Sequence, residues 1–159
     1  MQRLAVALLA VGALALGWLF FRGGPPPRLE GTVVQVRTLE VEPTASVALV
    51  NFEAVNASRH LFVAYERKLE IVDAEGKVRR GRTMNAIDLP DLFRYFPELG
   101  GMRDEPFAAQ TEIPAGATVR GLIGARFEIP QADLDARQAL VIRVVDGVGN
   151  ETLLRDPPE

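Results

Sequence analysis

From Thr118 to Ile129 apolar and polar residues alternate so regularly that an extended strand is the only regular conformation that sorts them. Val119, Ile123, Ala125, Phe127 and Ile129 fall on one face, and Arg120, Arg126 and Glu128 on the other. Ile113-Pro114-Ala115-Gly116 introduces the run and Pro130 ends it, as expected where a chain must turn and a ladder must stop. The same period recurs along the chain. Ser46 to Val55 sets Ala48, Val50, Phe52 and Ala54 against Asn51 and Glu53, the pattern of a half-buried strand. Thr32 to Glu42 changes phase between Val34/Val36 and Leu39/Val41, which predicts a bulge near Arg37-Thr38. Leu61 to Val72 carries Leu61, Val63, Tyr65, Leu69 and Ile71 on one alternation. Asp73-Ala74-Glu75-Gly76 then closes it, with Gly76 suited to positive φ. Leu140 to Val145 passes through Asp146-Gly147-Val148-Gly149-Asn150 into Thr152 to Leu154, a terminal hairpin.

One segment departs from this period. Between Asp88 and Glu98, Leu89, Leu92, Phe93 and Phe96 fall at helical spacing, with Asp88 placed as N-cap, Pro90 in the first turn, and Pro97 and Gly100-Gly101 as terminators. Six or seven short strands with Pro/Gly turns and one short helix predict a mainly β fold. The form expected is an immunoglobulin-like antiparallel β-sandwich with the helix in an insert, rather than a barrel. The helix is expected to cap the sandwich core, leaving Tyr95 facing out.

The amino terminus is of another kind. Leu4 to Phe21 holds eighteen residues without a charge, bracketed by Arg3 and Arg22. As a helix it would reach about 27 Å, close to the roughly 30 Å hydrocarbon thickness of a bilayer. Trp18, Phe20 and Phe21 gather at its end, where aromatic rings favour the interface. A transmembrane signal anchor over residues 1–22 is therefore expected. The competing reading is a cleaved leader, whose small-x-small site would be Ala13-Leu14-Ala15 inside the apolar run. Residues 23–31, with Gly23-Gly24-Pro25-Pro26-Pro27, form a short stalk, and residues 32–156 form the sandwich domain. This layout implies a single pass through the inner (cytoplasmic) membrane, contact with lipid through residues 4–21, and a domain on the extracytoplasmic side.

With the strands placed, the chain resembles the broad group of uncharacterised bacterial immunoglobulin-like domains that follow a membrane helix. The resemblance rests on Val50-Asn51-Phe52-Glu53-Ala54-Val55-Asn56-Ala57-Ser58, on Leu69-Glu70-Ile71-Val72-Asp73-Ala74-Glu75-Gly76, and on Ile113-Pro114-Ala115-Gly116 followed by Gly121 and Arg126-Phe127-Glu128-Ile129-Pro130. It implies a fold and an envelope setting, with no family active site. The chain departs from the group in lacking a lipid-modified cysteine and in its long insert from Asp88 to Gln110.

Function is narrowed mainly by what is missing. The net charge of -3 becomes about -5 once Arg3 and Arg22 are set aside, which disfavours a nucleic-acid partner. No cysteine means no thiolate nucleophile, disulfide or thiolate metal site. The only serines are Ser46 and Ser58 and the only histidine is His60, too few for a nucleophile, base and orienting group. Ser58 and Asn56 are expected to make local turn hydrogen bonds. Asp133-Leu134-Asp135 and Asp73-Ala74-Glu75-Gly76 lack the ligand count of a calcium loop, so no metal or cofactor is assigned. Two features remain as candidate partner contacts. Arg79, Arg80 and Arg82 form a basic cluster past a turn, and Phe93, Tyr95 and Phe96 are interface-type residues in the insert. The expected role is a non-enzymatic module that docks on another envelope protein. The alternative is a small-molecule, lipid or glycan binding domain in which the 88–110 insert lids a pocket between the sheets.

Overall fold

A computed structural model describes residues 28–156. The apolar run over residues 4–21 and most of the stalk lie outside the described residues. Within those described, no helix is long and apolar enough to cross a membrane.

The domain is mainly β and consists of two antiparallel sheets. The first has the order β1-β2-β7-β5, formed by β1 (Leu29–Glu42), β2 (Ala45–Asn56), β7 (Thr118–Phe127) and β5 (Arg82–Thr83). The second runs β4-β3-β8-β9, with β4 (Val78–Arg80), β3 (Phe62–Val72), β8 (Ala139–Asp146) and β9 (Glu151–Arg155); β6 (Thr111–Ile113) also pairs with β3. The facing sides of the two sheets share one apolar core. Val50, Phe52, Ile123 and Phe127 from the first sheet meet Phe62, Leu69, Ile142 and Val144 from the second.

The predicted strands β2, β3, β7, β8 and β9 form close to their expected bounds, while β1 starts at Leu29, before Thr32. Three details differ. In β1 the bulges fall at Val34 and Val41, not at Arg37-Thr38. The phase change in the sequence instead reflects two buried faces: Val36 packs on the core between the sheets and Leu39 on a second core outside. In β3 a bulge after Ala64 throws Tyr65 to the surface at 62% exposed, so Phe62 and Ala64 point inward and Leu61 does not. β2 is buried on both sides rather than half-buried.

The insert explains that second burial. A 3-10 turn at Ala86–Asp88, the helix α1 (Leu89–Tyr95) and a 3-10 turn at Pro97–Leu99 lie across the outer face of the first sheet. There Leu89 and Leu99 join Leu39, Val47, Leu49 and Leu122 in a compact outer core, with Leu92, Phe93 and Phe96 packed against it. The expected helix is thus present, and Tyr95 is 70% exposed as anticipated. Its position is the correction: the helix covers the back of the first sheet rather than capping the core between the sheets. Asp88 holds the N-cap position without a side-chain capping bond. After the helix the chain runs beside β7, exchanging hydrogen bonds between Leu122 and the Glu105 and Phe107 backbone, and Phe107 turns into the inner core edge-on to Phe52, 5.1 Å between centroids. The insert therefore grips β7 from both faces. A second short helix, α2 (Gln131–Asp135), buries Leu134 at the end of the sandwich and was not anticipated.

Two hairpins share one design. In Asp73–Lys77 and Asp146–Asn150 the aspartate Oδ1 accepts the backbone N–H two and four residues on, and a glycine at positive φ, Gly76 or Gly149, completes the turn.

Candidate functional site

The arginine cluster divides on inspection. Arg79 Nε donates to Asp73 Oδ2 at 2.7 Å and Arg80 Nε to Glu70 Oε1 at 2.9 Å. Both carboxylates are nearly inaccessible, and Glu70 is also held by Arg143 at 3.1 Å. Burial works against the charge of Glu70, but hydrogen bonds and attraction from Arg143 and Arg80 outweigh it and keep its pKa below the usual carboxylate value. Asp73 follows the same logic, with burial opposed by the Lys77 N–H and the Arg79 guanidinium. Arg79 and Arg80 are thus structural partners of buried acids, which the cluster of basic letters did not reveal. Arg82 differs: it lies exposed on edge strand β5, opposite Arg126 on β7, without an ion pair among the described residues.

Arg126 completes this corner. Its guanidinium contacts Glu128 at 3.0 Å and Glu42 at 3.2 Å, and those hydrogen bonds raise its pKa. Arg79, Arg80, Arg82 and Arg126 line a cleft of about 320 Å³ floored by Phe127 and Ile129, with Glu128 at its side. A second, mostly apolar groove of about 370 Å³ adjoins it, lined by Val41, Val47, Met84 and Leu92 and sharing Arg82 and Arg126 with the first. The insert therefore meets the arginines through Asp88 and Leu92, not through the expected aromatic residues. Phe93 and Phe96 are half-buried against the outer core, and only Tyr95 is presented to solvent, with Arg94 over its ring at 5.2 Å. Sequence reasoning missed Arg126, Met84 and Leu92. Arg126 was legible as an outward residue of β7, but its pairing with Arg82 depends on a two-residue strand with no periodic signal.

A polar cluster lies beneath the other end of the insert. Arg37 donates to the carbonyls of Leu99 and Gly101 and to Asn51 Oδ1 at 2.8, 3.1 and 3.0 Å, and stacks on Phe93 at 4.7 Å. Asn51 in turn donates to Asp104 at 2.6 Å. Burial and the nearby Arg103 lower the Arg37 pKa, partly offset by Asp104. This network ties residues 99–104 to β1 and β2. Ser58 and His60 lie in the turn after β2, where the Ser58 hydroxyl donates to Asn56 Oδ1 at 2.7 Å and Asn56 Nδ2 donates to the His60 carbonyl at 2.8 Å. Among the described residues no three His, Asp or Glu side chains are grouped to hold a metal ion.

No family model and no curated protein matches the chain. Among solved structures the chain is similar to the X-ray structure of Northeast Structural Genomics Consortium target SoR45, with 10% identity over 82% of this chain and 80% of that chain. The TM-score of 0.36 is too low for that likeness to bear on detail of fold or on function.

Proposed function

We propose that this chain is a non-enzymatic interaction module of the bacterial cell envelope. In this reading residues 4–21 are an uncleaved signal anchor in the inner membrane, and an immunoglobulin-like sandwich stands on the extracytoplasmic side and docks on another envelope protein. The observation that carries the docking role is the pair of adjoining clefts, one lined by arginines and one mostly apolar, left open beside an insert whose Leu89, Leu92, Phe93, Phe96 and Leu99 are engaged in packing. The strand order supports the immunoglobulin-like assignment: β1-β2-β7-β5 opposite β4-β3-β8-β9 corresponds to ABED opposite CFG with an added C′ strand. The turn bonds of Ser58 and the absence of any second histidine favour a binding role over hydrolysis.

The test is affinity purification of tagged full-length protein from native membranes after crosslinking, read by mass spectrometry, with an alkaline wash to establish membrane integration. The expected result is a protein that resists the wash and brings down one envelope protein in stoichiometric amount. Recovery of the protein alone, or its release by the wash, would overturn the reading.

A further inference from the structure

Resting on that reading, we infer that the two clefts are one bipartite groove that receives an extended peptide segment of the partner, with an acidic residue beside a bulky apolar one. Continuity comes from Arg82 and Arg126, which line both clefts. The acidic half of the specificity follows from how the guanidiniums are held. Arg79 and Arg80 are anchored through Nε to Asp73 and Glu70, so their Nη donors have no acceptor among the described residues. Arg126 is fixed by Glu42 and Glu128, and Arg82 has no ion pair among the described residues. Guanidiniums whose side-chain freedom is already spent bind a carboxylate at lower entropic cost, in a fork geometry that suits it. The domain is otherwise acidic, so this corner stands out against its surroundings. The apolar half follows from Val41, Val47, Met84 and Leu92, which line a space suited to a buried side chain of the leucine or phenylalanine kind; Asp88 also lines this cleft and not the one between the arginines, which directs the ligand's acidic residue to the arginine end.

The position of the groove favours a protein over the bilayer to which the chain is anchored. β1 begins at Leu29, opposite Asn56, whereas Arg126 lies opposite Val47, nine residues along β2. That is about 30 Å of strand between the end where the chain arrives from the stalk and the groove. It is several times the screening length of about 8 Å at physiological salt, so headgroups of the chain's own membrane exert little pull there.

Glu128 gives the proposal a distinctive signature. It is exposed and occupies Arg126 at the side of the cleft, so an acidic ligand competes with it. The experiment is fluorescence anisotropy on the full-length protein in mild detergent with three fluorescein-labelled peptides built from Glu and Leu, from Glu and Ser, and from Lys and Leu. The Glu/Leu peptide should bind at least about tenfold more tightly than the others, and more weakly as salt rises. Arg82→Glu should cost about tenfold or more, and Glu128→Gln should strengthen binding. Both positions are exposed, so both variants should keep the wild-type fold. Equal binding of the three peptides, indifference to Arg82→Glu, or weaker binding by Glu128→Gln would overturn the inference. Displacement of the peptide by short-chain phosphatidylglycerol more readily than by unlabelled peptide would overturn it in favour of a lipid ligand. Crosslinking the Arg82→Glu variant in native membranes separates the two levels. A partner retained in full by the variant defeats the groove and leaves the module reading standing, whereas no partner with either protein defeats the module reading itself.

Discussion

Leu89, the first residue of α1, rests on Gly124 in the middle of β7, so closely that a Cβ on that glycine would stand 2.6 Å from Leu89 Cδ2. This contact seats the insert on the sheet, and it needs both a large residue above and none below. Gly124→Ala should destabilise the domain by about 1–3 kcal/mol through overpacking, and Leu89→Ala by about 2–5 kcal/mol through the cavity it leaves. The double variant should be less destabilised than the sum, because the alanine at 124 finds room where the leucine was. Urea denaturation followed by circular dichroism measures all three; additive losses would show that the two residues do not share this site.

The three aromatic residues of the insert should separate cleanly. Phe93→Ala and Phe96→Ala strip the cover of the outer core and should each lower the unfolding midpoint. Tyr95→Ser should change stability by no more than about 0.5 kcal/mol, since that ring is exposed. A loss of partner binding in Tyr95→Ser is then a statement about the interface alone.

Removing one guanidinium from Glu70 should matter in proportion to how well water can replace it. Arg143 is 23% exposed and Arg80 is 74% exposed, so Arg143→Met should destabilise more than Arg80→Met. Glu70→Gln should relieve the dependence on both. Thermal unfolding of the three single variants tests the order, and a larger effect at Arg80 would contradict it.

Acid should weaken the fold in a defined window. The folded-state pKa values of Glu70, Asp73 and Asp146 are all depressed: burial opposes their charge, and the guanidinium, amide and backbone N–H donors around them more than compensate. A depressed carboxylate contributes stability that is fully present above its unfolded value, near pH 4, and is lost as pH falls through the folded value. Unfolding midpoints should therefore be flat with respect to these groups above about pH 5 and fall steadily below pH 4. Replacing Asp73 and Asp146 by Asn should shallow that fall.

Much of this architecture was legible because most strands carry one clean alternation, as β7 does from Val119 to Phe127. Legibility failed where one letter serves two environments. Val47 and Leu49 look like interruptions of a half-buried strand until the insert supplies a second apolar layer for them. Tyr65 fits the alternation of Leu61 and Val63, but the bulge beside it reverses the register, and nothing local marks that reversal. Arg79 and Arg80 read as a basic cluster available to a partner because Asp73 and Glu70, which hold them, are brought beside them by the pairing of β3 and β4, which alternation does not encode. The groove was out of reach for a similar reason: its walls come from β1, β2, β4, β5, β7 and α1, stretches scattered along the chain.

The layer over the outer face also limits how the molecule can be dissected. Excising the insert would uncover Leu39, Val47, Leu49 and Leu122 together, turning the back of the first sheet into a broad water-exposed hydrocarbon patch of the sort that drives self-association. A truncated protein of that kind would stick to itself and to bystanders. The insert and the surface beneath it are one unit of inheritance: a chain that loses the first must also repaint the second with polar side chains.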